Sequence, residues 1–449
     1  MGGAAHIRVV IIASLAGILF GFDTAVIAGI THALREFFSL SPAGLGAAVS
    51  SALWGTLLGA LIVGQPGDRY GSRDMLRVVG CLYVISALGC ALAWSLTSFV
   101  ACRFLAGIAI GGSSVLAPVY LAEIAPANRR GALVGLFQVN IVFGILLAYG
   151  SNFCVARVIG GPDVWRYKLA VSALPAVLFF CLLLTIPHSP RWLAAKSRLV
   201  EAESSLRSLG SANPHAQLDE FANSRETQDT HHQRLSWTLH RRPILLAVGL
   251  ACFNQFSGIN AVLYYLGDIF AAAGFDSWSS DLQSVAIGAT NLAATLVGIA
   301  LLDRVGRRTL ILIGSVGTAL ALLGVAFVMA NYTARAWLLP LLILFIASFA
   351  VSQGAVIWVY LSEIFPTPVR ARGQAIGSAT HWIFNALIAG TFPIIAAQSK
   401  SAPFAFFAAM MILQFVAAFF LMPETRRIAL ERMNDLLGTA PPATSRRNM

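Results

Sequence analysis

Asp23 lies in the middle of the first apolar run, in the stretch Gly17-Ile18-Leu19-Phe20-Gly21-Phe22-Asp23-Thr24. The run covers residues 9–30, long enough to cross a bilayer as a helix, and Asp23 is its only charged residue. A carboxylate at that depth costs about 2.5–3.5 kcal/mol on insertion scales, so it needs a partner, a cavity or a proton path. Two chemistries fit: a fixed ion pair that pins two helices, or a group that gains and loses a proton.

A second set of charges sits in loops and occurs twice. Gly67-Asp68-Arg69-Tyr70-Gly71-Ser72-Arg73 is answered by Asp303-Arg304-Val305-Gly306-Arg307-Arg308. Glu123-Ile124-Ala125-Pro126, leading to Arg129-Arg130-Gly131, is answered by Glu363-Ile364-Phe365-Pro366, leading to Arg370 and Arg372-Gly373. Pro187-His188-Ser189 is answered by Pro423-Glu424-Thr425, and all three pairs are offset by about 235–240 residues. Three matches at one offset indicate a duplication. Arginine forks match carboxylates in geometry, and networks of them can close and open as two states. Asp68, Glu123, Asp303 and Glu363 are therefore expected to accept from neighbouring arginines, Arg69, Arg130, Arg304 and Arg370 among them, in gating contacts that also fix loop geometry.

The elements that must hold these groups follow from composition. Of the 449 residues 57% are hydrophobic and 11% charged, with a mean hydropathy of +0.75, which describes a polytopic membrane protein. Twelve apolar segments are expected at 8–31, 44–66, 75–94, 97–120, 132–154, 168–187, 243–270, 282–302, 309–330, 336–361, 373–396 and 402–422. The chain divides into an N-terminal six-helix bundle (1–187), a polar linker with short amphipathic helices (188–242), a C-terminal six-helix bundle (243–422) and a tail (423–449). Repeats of six helices with a site near the bilayer midplane are a transporter architecture. The first run is too long for a signal-peptide core, so it is expected to stay.

The net charge of +11 orients the chain and implies no nucleic-acid partner. Roughly 24 of the 31 Lys and Arg fall on one side of the membrane, so both termini are expected in the cytoplasm of a multi-pass protein in the cell membrane. The six cysteines lie in apolar runs without metal or disulfide spacing and read as packing residues. No nucleophile–base set, metal motif or phosphate loop argues for an enzyme, and no metal or organic cofactor is expected. Oligomeric state has no signature here.

The ordered motifs resemble those of the sugar porters of the major facilitator superfamily, the group of bacterial sugar–proton symporters and animal glucose facilitators. They are Gly67-Asp68-Arg69-x-Gly-x-Arg73, Arg103-Phe-Leu-Ala-Gly107, Pro118-x-Tyr120-x-x-Glu123, Ser189-Pro190-Arg191-Trp192-Leu193, Gln255-Phe-Ser-Gly258-Ile-Asn260, Trp358-x-x-x-x-Glu363 and Pro423-Glu424-Thr425. The resemblance runs from Gly17 to about Glu431 and implies an all-α fold of twelve transmembrane helices in two pseudo-symmetric bundles. It implies alternating access, with a monosaccharide between the halves and a proton as the coupling ion.

By the same resemblance Asp23 is the proton-coupling carboxylate and Arg103 its partner on the fourth segment. The implied sugar ligands are Gln138, Asn254, Gln255, Asn260, Trp358, His381 and Asn385; polar groups meet hydroxyls and aromatic faces meet the ring. Gln138 and Asn260 could equally be interhelical hydrogen-bond glue, Trp358 an interface residue and His381 a satisfied buried histidine. Gln255 and Asn260 are five apart, so Ser257-Gly258 between them is expected to unwind the helix.

This chain departs from the family at Asn254 (commonly Gln), His381 (Gln or Asn), Phe22 (Tyr) and His188 (Glu), and it carries Ile145 where xylose symporters have Gln. Proton symport of glucose or another hexose is expected first and of a pentose next. The alternatives are a uniporter on the same scaffold and a carrier of polyols or cyclic hydroxy acids. The short tail argues against a sugar sensor.

Overall fold

A computed structural model describes residues 3–125, 130–211, 213–219, 221, 235–331, 334–366 and 369–426. Twelve helices among them are long and apolar enough to cross a membrane, from Ala5–Gly29 to Ala402–Leu421. Each overlaps an expected segment. The largest shift is in the seventh, Trp237–Tyr264, which starts and ends about six residues before its expected 243–270. The sixth, Val164–Leu183, starts about a turn earlier than expected, with Trp165 fully buried in its first turn.

The contacts group the described residues into two units. Unit 1 takes residues from 1–230, 260–292 and 385–400, and unit 2 those from 231–259, 293–384 and 401–449. In lipid there is no hydrophobic gain from bringing helices together, so close packing and hydrogen bonds must do it. Unit 1 shows how. The first span, Ala5–Gly29, packs on the fifth, Gly135–Val158, where a Cβ on Gly21 would collide with the Ile141 carbonyl. The second span, Pro42–Ile62, packs equally closely on the fourth, Leu96–Ile124, through Gly107. Glycines let these backbones touch; an alanine at either place would force the helices apart.

The helix ends are capped by local sequence. Ser41 accepts a bond from Gly44 N at 3.1 Å with Pro42 at the first helical position. Ser95 and Ser98 cap each other reciprocally at the start of the fourth span. In the linker, Ser189 caps the short helix Pro190–Ala195 through Trp192 N at 3.2 Å.

At the ends of the spans remote from this linker, unit 1 is tied together by buried polar contacts. Lys168 Nζ lies 3.1 Å from Asp281 Oδ2 and donates to the Gly29 carbonyl at 3.0 Å. The Tyr149 hydroxyl donates to the Leu263 carbonyl at 2.9 Å, and the Tyr265 hydroxyl to the Ala389 carbonyl at 2.8 Å.

Unit 2 has its own core around Ile311, Val356, Ile357, Tyr360 and Phe365. Two of its elements depart from a plain α-helix. The seventh span, Trp237–Tyr264, stops at Phe256 and restarts at Ile259, with Gly258 at φ +78° between. Only glycine fits there, since a Cβ would strike the Phe407 ring. The unwinding expected from Ser257-Gly258 is present, and the boundary between the units falls one residue beyond, after Ile259. The tenth span, Arg335–Glu363, carries a π-turn at Ala350–Gly354, a feature that often marks functional sites.

Candidate functional site

In unit 1 the first and fourth spans bring Asp23 and Arg103 together. Arg103 Nη1 donates to both carboxylate oxygens of Asp23 at 2.9 Å. Their side chains are 14% and 4% exposed, so the pair is largely out of water. One nitrogen makes both bonds. The parallel two-nitrogen fork, the strongest arrangement, is not used, and Arg103 Nε is buried without a hydrogen-bond partner. The contact is strong enough to neutralise a carboxylate inside a span and weaker than the guanidinium could make it.

Tyr264, buried in the same unit, lies within electrostatic reach of both Asp23 and Arg103. Its hydroxyl accepts a bond from Asn385 Nδ2 at 3.4 Å. Gln138 is half-buried on the fifth span, and Asn260 follows the break in the seventh.

In unit 2 the helix that ends at the break carries Asn254 and Gln255 on its last turn. Ser257 stabilises this end, its hydroxyl donating to the Asn254 carbonyl at 2.6 Å and accepting from Ile259 N at 3.3 Å. Gln255 Nε2 donates to Asn254 Oδ1 at 3.0 Å and reaches the ring nitrogens of His381 at 3.1 and 3.2 Å. The His381 ring lies 5.1 Å from Trp358 and 5.1 Å from Trp382, centroid to centroid. Trp358 itself is 37% exposed. Four of the expected sugar residues, Asn254, Gln255, Trp358 and His381, thus form one neutral polar and aromatic cluster within unit 2.

The paired loop motifs resolve into two different networks on the linker side of the spans. In unit 2 Arg307 is the hub: it contacts Glu363 at 2.8 Å and Asp303 at 2.9 Å. Thr425 Oγ1 donates to the other oxygen of Glu363 at 2.5 Å. Glu424 accepts from the backbone N–H groups of Arg307 at 2.9 Å and Arg308 at 3.1 Å. A carboxylate there satisfies the exposed N–H groups at the start of the ninth span and meets the positive end of its dipole. Gly306, at φ +104°, makes room, since a Cβ would lie 2.6 Å from Glu424.

The matching place in unit 1 is built differently. Ser72 stands where the repeat has Arg307, and His188 where it has Glu424. Ser72 and Ser189 face the Glu123 carboxylate. Asp74 holds Arg73 at 2.8 Å and Arg77 at 3.0 Å, and His188 Nε2 contacts Arg73 Nη2 at 2.5 Å and Asp74 at 3.3 Å. His188 also stacks on Trp192 with ring centroids 5.2 Å apart. Burial, and next the charge on Arg73, hold the His188 pKa below its ordinary value. Two tyrosine contacts are the same in both units: Tyr120 to the Pro187 carbonyl at 2.8 Å and Tyr360 to the Pro423 carbonyl at 3.3 Å.

The expected gating residues are therefore unequal in the structure. Asp303 and Glu363 join the unit 2 network, Arg69 and Arg304 are exposed, and Arg370 Nε donates to the Phe365 carbonyl at 3.4 Å. Asp68 accepts from Trp192 Nε1 through its carbonyl at 3.0 Å. The Arg130 side chain lies outside the described residues. Sequence reasoning missed Arg307 and Asp74 as hubs. Arg307 had a signal, standing one helical turn after Asp303.

Comparison with known proteins gives a consistent picture. The family profile described as "Sugar (and other) transporter" matches residues 9–437. The chain is 34% identical to a D-xylose-proton symporter of Escherichia coli, over 95% of each chain. It is 34% identical to a glucose transport protein of Synechocystis, covering 94% of this chain and 95% of that one. The inward open conformation of the xylose transporter XylE from E. coli superposes with a TM-score of 0.86 at 33% identity, covering 96% of this chain and 99% of that one.

Proposed function

The chain belongs to the sugar porter family of the major facilitator superfamily, a multi-pass transporter and not an enzyme, and from that premise we propose that it carries a monosaccharide together with a proton by alternating access. The observation that carries the proposal is the Asp23–Arg103 pair, a carboxylate inside a span held by a single guanidinium nitrogen. While Arg103 is in contact, the ionised carboxylate is favoured; when it withdraws, a carboxyl out of water takes a proton. A pair that forms in one state and parts in the other therefore loads and unloads one proton per cycle. One charge moved through the membrane potential yields about 2.3 kcal/mol per 100 mV. At about 1.4 kcal/mol per decade, that supports roughly fiftyfold accumulation.

The sugar is read by Asn254, Gln255, His381 and the exposed face of Trp358, with Gln138, Asn260 and Asn385 as further ligands. Ile145, in place of the glutamine of xylose symporters, favours a hexose such as glucose. The likeness to a D-xylose-proton symporter supports a pentose as the second reading. The linker side, which carries most of the Lys and Arg, faces the cytoplasm with both termini. A counterflow competition panel of hexoses, pentoses and polyols with purified protein in liposomes tests the reading. Competition by at least one monosaccharide is expected; indifference to all of them would overturn it.

A further inference from the structure

The boundary between the units cuts three spans part-way along, after Ile259 in the seventh, Leu292 in the eighth and Phe384 in the eleventh. The pieces on the side remote from the linker, 260–292 and 385–400, belong to unit 1 and lie against spans of the N-terminal half. They do so at backbone distance. A Cβ on Gly267 would lie 2.8 Å from the Ala28 carbonyl oxygen of the first span, and one on Gly46 of the second span would collide with the Gly390 carbonyl of the eleventh. Contacts of that kind hold by close van der Waals packing. Among the described residues two ion pairs also join these pieces to the N-terminal half. Arg35 and Asp268 are 3.8 Å apart, and the arginine is 45% exposed. Lys168, on the sixth span, and Asp281, at the start of the eighth, are 6% and 14% exposed. Lys168 Nζ gives one N–H to Asp281 Oδ2 at 3.1 Å and another to the Gly29 carbonyl at 3.0 Å, so one ammonium ties the eighth span to the end of the first.

We propose that Lys168 and Asp281 are the latch of the outer gate: paired, they hold the outer end of the eighth span on the first and sixth spans, and they part when that side opens to admit substrate. The inference rests on the alternating-access reading and adds to it two residues that touch neither sugar nor coupling proton. The energetics suit a latch that must open in every cycle. With both charges present, their attraction in the closed state roughly offsets the cost of taking two ions out of water, so closure is favoured by little. Loss of one partner ends that balance. The remaining charge is buried when the side is closed and hydrated when it is open, so a single neutral substitution favours opening. Apolar side chains at both positions remove the desolvation cost together with the attraction, and closure is then as favourable as before or more so. The effect thus reverses between the single and the double variant, whereas a role in packing alone would make the double variant the sum of the singles.

The test is hydrogen–deuterium exchange of the full-length protein in lipid nanodiscs, read on peptides from the outer stretches 260–272 and 385–398 and, for comparison, from the linker-side stretches 64–72 and 303–310. Lys168→Met and Asp281→Leu are each expected to raise exchange on the outer peptides by about tenfold or more. Both should lower it on the linker-side peptides, because a carrier open on one side is closed on the other. The double variant should return the outer peptides to the wild-type rate or below it. It also serves by itself if a single variant does not fold, since outer exchange well above wild type in the double variant would overturn the inference. So would single variants that leave the outer peptides unchanged, or that raise exchange on both sides together, the mark of plain destabilisation. Monosaccharide counterflow by the wild-type protein in liposomes separates the latch from the transport reading. Counterflow without the expected shift overturns the latch alone; absence of counterflow with every monosaccharide overturns both.

Discussion

The two units differ inside the spans and at the matched linker-side positions. In unit 1 an ion pair, Asp23–Arg103, lies within the spans, while the linker-side positions matched to Arg307 and Glu424 are the neutral Ser72 and His188. In unit 2 the linker side carries Arg307, Glu363 and Glu424 in one network, while the cluster within the spans is the neutral Asn254–Gln255–His381. The difference separates two kinds of work. Charge inside a span is costly to keep and gains its value when its partner comes and goes. Charge at a loop end, next to helix N–H groups, is cheap to keep and anchors the ends of helices. On the proposed mechanism, unit 1 holds the ion chemistry with three of the sugar ligands, and unit 2 holds the cluster of Asn254, Gln255, Trp358 and His381.

The largest effect should come from removing the interior charge. Asp23→Asn is expected to abolish accumulation against a gradient while leaving counterflow exchange, a loss of up to about fiftyfold in the accumulation ratio at 100 mV. The variant still offers Arg103 an oxygen but leaves its buried charge unmatched, so its unfolding temperature in detergent should fall by a few degrees. Uptake and melting, measured side by side, check both halves of that statement.

The converse experiment breaks the unit 2 network. Arg307→Leu leaves Glu363 partly buried with only Thr425, and is expected to cost about 2–3 kcal/mol of stability. Ser72→Ala, at the matching place in unit 1, should cost less than about 1 kcal/mol. If denaturant titrations ranked the two variants the other way, the assignment of structural charge to unit 2 would fail.

Smaller effects should follow at the third matched position. Glu424→Ala removes the acceptor for four backbone N–H groups, those of Arg307, Arg308, Thr425 and Arg426, and should cost about 1–2 kcal/mol. His188→Glu gives unit 1 a carboxylate beside Arg73 and Arg77 and should stabilise it by only about 0.5 kcal/mol, since desolvation and the nearby Asp74 offset most of the gain. Thermal melts of the two single variants resolve the opposite signs.

The smallest effect is a dependence on pH. His188 titrates below its ordinary 6.5 because burial, then Arg73, disfavour its charge. The unfolded chain therefore takes the proton first, and stability is full above pH 6.5 and falls as the pH drops below it. His188→Gln should flatten that slope between pH 5 and 6.5, leaving the carboxylate contributions at lower pH. Asp74, 3.3 Å from His188, opposes the shift, so the slope should be shallow.

Much of this was legible in the amino-acid sequence for physical reasons. Apolar runs marked the spans because lipid tolerates little else, and Ser257-Gly258 marked the break because only glycine takes a positive φ without strain. Asp23 stood out as a lone charge in its run, and the family motif supplied Arg103. What the sequence hid was which of several neighbouring arginines turns inward. Arg304 and Arg307 are three residues apart in one motif, yet Arg304 is exposed and Arg307 buried against Glu363. Nor did it show that Gln255 and His381, 126 residues apart, share a hydrogen bond. That depends on how far apart the seventh and eleventh spans lie, which no local pattern records.

The coupling of sugar to proton movement is the central claim, and lumen pH in reconstituted vesicles tests it most directly. Wild-type protein, given the best substrate from the competition panel on the outside, should acidify the lumen as sugar enters, and an imposed inward proton gradient should drive accumulation. Sugar entry at the same rate with no change in lumen pH, and no response to the imposed gradient, would contradict it.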